Sequence, residues 1–153
     1  ITSDAKLTLK DFEKNQSVKV VIKAVNEAGK EATKTYIYTR KEKETIRKVY
    51  FTANNVAASS STIYVYLWNS QVNNSEFAAW PGTAMTYLEM NSYNEKVYTF
   101  DVDLTKYDSI IFNGGSGTWQ TVDILLQDGV NVYYLDGTTQ NSKYTVVTSY
   151  RAS

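Results

Sequence analysis

The sequence predicts an all-β protein, an antiparallel β-sandwich behind a shorter β-rich segment. Three observations carry that prediction. Tyrosine occurs 13 times among 153 residues, against one proline and seven glycines, and aromatic side chains suit the pleated face of a strand. Apolar and polar residues alternate with period two along much of the chain. Turn signals separate these runs at short intervals, and no stretch holds a convincing helical period.

Taken in order, Leu7 and Leu9 alternate with Lys6, Thr8 and Lys10, and Val18, Val20, Ile22 and Ala24 alternate with Lys19 and Lys23. A third run spans Thr33 to Thr39. Between the last two, Asn26-Glu27-Ala28-Gly29-Lys30 supplies a hairpin turn with Gly where φ must be positive. Further strands are predicted over Arg47–Thr52, Ser61–Trp68, Lys96–Leu104, Ser109–Phe112, Thr118–Leu126, Val130–Leu135 and Lys143–Tyr150. Turns are predicted at Asn113-Gly114-Gly115-Ser116-Gly117, Asp128-Gly129 and Asp136-Gly137.

Charge divides the chain. Its 16 basic and 16 acidic residues cancel, but residues 1–48 hold 12 basic and 7 acidic side chains, and the rest hold 4 and 9. All three Trp and eleven of the 13 Tyr follow residue 48. Such asymmetry reads as two fused domains joined near Arg40-Lys41-Glu42-Lys43-Glu44. The net charge of −5 on the aromatic-rich part would repel phosphate, so no nucleic-acid partner is expected. With no Cys and no His, thiol chemistry, disulfides, imidazole catalysis and the usual zinc sites are excluded. No apolar run approaches membrane-spanning length and no leader opens the chain. The expectation is a soluble chain whose signal peptide, if it has one, lies outside the sequence.

The candidate site comes from strand parity. Successive side chains point to opposite faces, so Ile63, Val65 and Leu67 line a core while Tyr64, Tyr66 and Trp68 face outward. Outward rings two residues apart stand roughly 7 Å apart, a platform for neighbouring pyranoses with their apolar C–H faces. Burial of both strand faces is the competing reading. In Trp80-Pro81-Gly82, Pro and Gly read as the second and third positions of a type II turn, with Trp80 at the first. Along Thr118–Leu126, Val122, Ile124 and Leu126 are the inward set and Trp119, Thr121 and Asp123 the outward one, with Gln120 at a strand end where it could reach a ligand. On Lys96–Leu104, Tyr98, Phe100, Val102 and Leu104 read inward, and Thr99, Asp101 and Asp103 outward.

The segments VYF (Val49–Phe51), YVYLWN (Tyr64–Asn69), AAWPGTAM (Ala78–Met85), VYTFDV (Val97–Val102), IIFNGGSG (Ile110–Gly117) and QTVDI (Gln120–Ile124) resemble carbohydrate-binding module family 26, the starch-binding β-sandwich of bacterial amylases. The resemblance places the module at 48–137, with 138–153 a C-terminal strand or connector. It implies stacking of α-1,4-linked glucose on Tyr64, Tyr66 and Trp80; Trp119 and Gln120 join the candidate set through their strand positions instead. Two departures stand out. Ala84 occupies a position where many members have Lys, and the loop Ser70–Phe77 is long. Upstream, KAVNEAGKEATKTYIY resembles the last hairpin of immunoglobulin-like or fibronectin type III-like modules of secreted bacterial proteins. Such a sandwich needs about 100 residues, so 1–42 reads as the C-terminal part of one, and 43–47 as a linker.

The expected function is non-catalytic binding of starch, amylose or malto-oligosaccharide, in a monomer that targets an upstream catalytic domain or cell-surface protein to its substrate. The expected location is secreted or at the bacterial surface. A glycosidase needs two carboxylates facing across a cleft, and the acidic residues here fall mostly in turns or on outward positions. Asp101-x-Asp103 followed by Asp108 lacks the Gly and bidentate Glu of a calcium loop. No cofactor or metal is expected. Asn15-Gln16-Ser17 and Asn73-Asn74-Ser75 fit the glycosylation pattern, a triplet common by chance. The alternative is a structural or adhesive immunoglobulin-like module that docks a protein through the aromatic face.

Overall fold

The computed structural model describes residues 17–39, 43–53 and 62–148. The alternation around Leu7 and Leu9, the connector residues Arg40 to Glu42, Ser61 and the Ser149–Tyr150 end of the last predicted strand lie outside them. The chain forms two compact units, Ile1–Lys43 and Glu44–Ser153.

In the first unit, β1 (Ser17–Val25) and β2 (Glu31–Thr39) pair antiparallel from Ser17↔Thr39 to Val25↔Glu31. The turn is the predicted one. Gly29 takes φ +76° and donates its N–H to the Asn26 carbonyl at 2.9 Å, and the Asn26 side chain accepts from Lys30 N–H at 2.9 Å. An Asx side chain closing the loop and Gly in the left-handed region are what a short hairpin loop with a bulge requires.

The second unit stacks two sheets. The strands are β3 (Ile46–Thr52), β4 (Tyr64–Trp68), β5 (Thr83–Ala84), β6 (Thr86–Met90), β7 (Lys96–Asp103), β8 (Ser109–Asn113), β9 (Ile124–Leu125), β10 (Val132–Gln140) and β11 (Lys143–Val147). One sheet runs β11-β10-β3-β7-β6 and the other β5-β4-β8-β9. Every pair is antiparallel except β10 with β3, which is parallel. Between the sheets lie Val49 and Phe51 of β3, Val65 and Leu67 of β4, Ile110 and Phe112 of β8, and Tyr133 and Leu135 of β10. Phe51 and Phe112 stack across the sandwich with centroids 4.2 Å apart. Truncating such a ring to Ala typically costs about 3–5 kcal/mol.

Several elements differ from the sequence expectation. β3 begins at Ile46, one residue before the predicted strand Arg47–Thr52. The Arg47 guanidinium is buried because Glu44 and the carbonyls of Gln127 and Val130 take its donors. The edge strand β6 went unread, since its residues are exposed throughout and show no alternation. Asp136-Gly137 is not a chain reversal but part of a register shift inside β10; the hairpin turns at Asn141-Ser142, both at positive φ. Thr99, read as outward, is buried between β3 and β6, and its hydroxyl donates to the Val49 carbonyl.

The predicted strand Thr118–Leu126 is broken. Gln120 bridges Asn113 of β8, and Thr121 bridges Tyr144 of β11. The segment thus crosses between the sheets, and simple parity fails there. Thr121, expected outward, is fully buried, its hydroxyl accepting from Phe112 N–H at 3.1 Å.

Candidate carbohydrate-binding face

β4 positions the site through its pleat. Ile63, Val65 and Leu67 are almost completely buried, while Tyr64, Tyr66 and Trp68 are half-exposed on the other face. The competing reading, with both faces in the core, does not describe this strand. Tyr66 sits at the centre of a ring cluster. Its centroid lies 5.5 Å from Trp68, tilted by 37°, and 5.5 Å from Trp80, edge-on at 63°. Trp80 remains 39% exposed.

The loop that carries Trp80 is fixed from below. The Trp80–Pro81 peptide bond is cis, and the Gly82 N–H donates to the Ala79 carbonyl at 2.8 Å. The turn therefore begins at Ala79 and has Pro81 at its third position, as a cis-proline turn does. That corrects the type II expectation, and Trp80 takes the second place rather than the first. Gly82 lies directly on β4: a Cβ there would stand 2.1 Å from the Val65 carbonyl oxygen. Only glycine permits that approach. Asn113 of β8, fully buried, donates its side-chain amide to the Pro81 carbonyl at 2.9 Å and accepts from Gly115 N–H at 2.9 Å. One side chain thus ties the Trp80 loop to the Gly-rich turn, where a Cβ on Gly115 would stand 3.6 Å from the Tyr64 ring.

The long loop after β4 forms the rest of the wall. Ser70 donates from its backbone and its hydroxyl to the Asp108 carboxylate, at 2.8 and 2.6 Å. Burial pushes the Asp108 carboxyl up, but these bonds and one from Ser109 outweigh it and hold it below the usual carboxylate range. Ser75 accepts from Asn69 N–H and donates to the Val72 carbonyl. Glu76 accepts the Tyr66 hydroxyl proton at 2.5 Å. That bond first, and burial second, push the Tyr66 phenol above its ordinary value. The aromatic face continues into an open groove of about 540 Å³, bordered by Tyr66, Trp68, Glu76, Ile111 and Asp123.

Of the expected site residues, Tyr66 and Trp80 come into ring contact, and Tyr64 shares the Tyr66 face of β4. Trp119 does not join them, for its ring packs on Phe51 at 6.1 Å and on Tyr144 at 6.2 Å and covers the core. Its expected outward position is corrected by the crossing described above. Gln120 is half-buried, its carbonyl accepting from Tyr144 N–H. Ile111 and Glu76 were missed. Ile111 sat inside the unbroken apolar run of β8, and only the Tyr66↔Ile111 register shows that it shares the aromatic face. No group of three or more acidic residues that could hold a metal occurs among the described residues. No helix among them is long and apolar enough to cross a membrane.

Residues 49–125, half of the chain, match the family model described as starch-binding module 26. No curated protein matches the chain. One solved structure, of a family CBM26 module from Eubacterium rectale Amy13K in complex with maltoheptaose, is similar at 18% identity and a TM-score of 0.46, covering 92% of this chain and 74% of that one. On the family match, the chain belongs to starch-binding module family 26.

Proposed function

We propose that Tyr64, Tyr66 and Trp80 are the surface on which this module holds α-1,4-glucan. The module is a non-catalytic α-glucan binder of its family, and the ring cluster is what supports this location. Three rings stand on one sheet face and one rigid turn, with Tyr66 at 5.5 Å from Trp80, so little ordering entropy opposes their contact with a sugar. Each presents apolar surface to the C–H face of a glucose, while Glu76 and the loop amides supply polar partners. Trp119 is left out because its ring covers the core.

The wider role follows from such a shallow site. An open aromatic platform suits a domain that keeps an attached catalytic domain or surface protein on insoluble starch. A secreted or bacterial-surface location and a monomeric module fit that role. The test is depletion of the protein from solution by granular starch and by cellulose, with reducing ends assayed alongside. Retention on starch alone, with no new reducing ends, is the expected result. Equal retention on cellulose overturns the selectivity, and released sugar overturns the non-catalytic role.

A further inference from the structure

The long loop after β4 does more than support Tyr66. It encloses one side of the 540 Å³ groove that opens beside the ring cluster. The registers order this groove. Tyr66 pairs with Ile111 across β4 and β8, and Ile110 pairs with Ile124 across β8 and β9. Continuing that register by one residue sets Asp123 beside Ile111. Tyr66, Ile111 and Asp123 therefore form a row across the sheet, and two strand spacings put Asp123 about 10 Å from Tyr66.

The chemistry changes along that row. Ile111 is only 7% exposed although it shares the outer face, so it makes a covered apolar floor rather than open sheet. Asp123 is exposed and has no hydrogen-bond or ion-pair partner among the described residues. The wall is already anchored, through Ser70 on Asp108 and Phe77 N–H on the Leu67 carbonyl. An apolar floor ending at a free carboxylate suits a hexose, whose ring face is apolar and whose edge carries hydroxyl donors.

We propose that this groove extends the carbohydrate site, taking further glucosyl units of a chain already stacked on Tyr64, Tyr66 and Trp80, with Asp123 accepting their hydroxyl protons. The proposal rests on the platform reading above. It makes the module discriminate by chain length, because a short oligosaccharide fills the ring cluster without reaching Asp123.

Calorimetric titration of maltotriose and maltoheptaose against wild type, Asp123→Ala and Val72→Arg tests it. Val72 borders the groove and is 56% exposed, so a longer side chain there obstructs the groove without disturbing the core. A longer oligosaccharide gains some affinity merely by offering more binding registers, so the readout is the change in the maltoheptaose-to-maltotriose ratio. Both variants are expected to lower that ratio about tenfold or more, the scale of one hydrogen bond to a charged group, with maltotriose affinity unchanged. An unchanged ratio in both variants overturns the extension alone. Failure of wild type to bind either sugar overturns the platform and the extension together.

Discussion

Tyr66 and Glu76 are joined by a 2.5 Å hydrogen bond from phenol to carboxylate. The bond couples the centre of the ring cluster to the loop that borders the groove. Glu76 fixes where the Tyr66 ring stands, and its acceptor oxygen is what the phenol loses if the loop moves. Glu76→Ala should therefore weaken starch binding by about tenfold or more, the scale of one hydrogen bond to a charged group, with little change in melting temperature. Glu76→Gln, which keeps an acceptor, should lose less. Equal affinity of wild type and both variants in calorimetry contradicts the coupling.

Gly82→Ala should disrupt the site from beneath. The added Cβ meets the Val65 carbonyl at 2.1 Å, on a backbone at φ +97°. Strain of this kind costs about 1–3 kcal/mol before any clash is counted, so the Trp80 loop must lift off β4. The expected result is a lowered melting temperature together with lost starch retention. Retained binding would show that Trp80 does not depend on that seat.

Affinity should be nearly flat between pH 5.5 and 8, and between low and moderate salt. The chain has no His, the side chain that ordinarily titrates in this range. The Tyr66 phenol is pushed upward, away from it. Stacking on a neutral sugar releases no counterions. A tenfold change across either range, read by calorimetry, contradicts the account of the site.

Stability, in contrast, should fall in acid. Hydrogen bonds hold four carboxyls below their ordinary values: Glu44 by Arg47, Asp103 by Thr105, Asp136 by Thr138, and Asp108 by Ser70 and Ser109 against the effect of burial. For a depressed carboxyl, the unfolded chain binds more protons than the folded one as pH drops. The stabilisation is complete above the ordinary values of 3.8 for Asp and 4.5 for Glu, and is lost as pH falls through the lower folded values. Thermal melts should be level from pH 7 to 5.5 and decline below about 4.5. A melting temperature that holds or rises in acid contradicts it.

The parts of the fold readable from sequence were those where one local rule acts alone. Period two placed Ile63, Val65 and Leu67 in the core and the aromatics outside because β4 is a regular interior strand. Parity misplaced Thr121 and Trp119, since residues 120–122 bond to β8 on one side and β11 on the other. Asp136-Gly137 carries the composition of a hairpin turn, yet strand β10 continues through it to Asn141-Ser142. Within the site, the rings were legible from alternation and from the Trp-Pro-Gly turn. Ile111 and Glu76 were not, for their place is set by cross-strand register and by a loop whose hydrogen bonds run to Asp108, far along the chain.

The central claim is that Tyr64, Tyr66 and Trp80 form a glucan platform and are not part of the core. Starch retention and thermal melting of Trp80→Ala, measured on the same preparation, test it most directly. Truncating a central aromatic costs about 2 kcal/mol or more of binding, roughly a factor of 30. On a platform whose dissociation constant is about 10 μM to 1 mM, retention should drop below detection while the melting temperature moves by no more than a few degrees. Undiminished retention, or a collapsed melt of the size about 3–5 kcal/mol would produce, contradicts the claim.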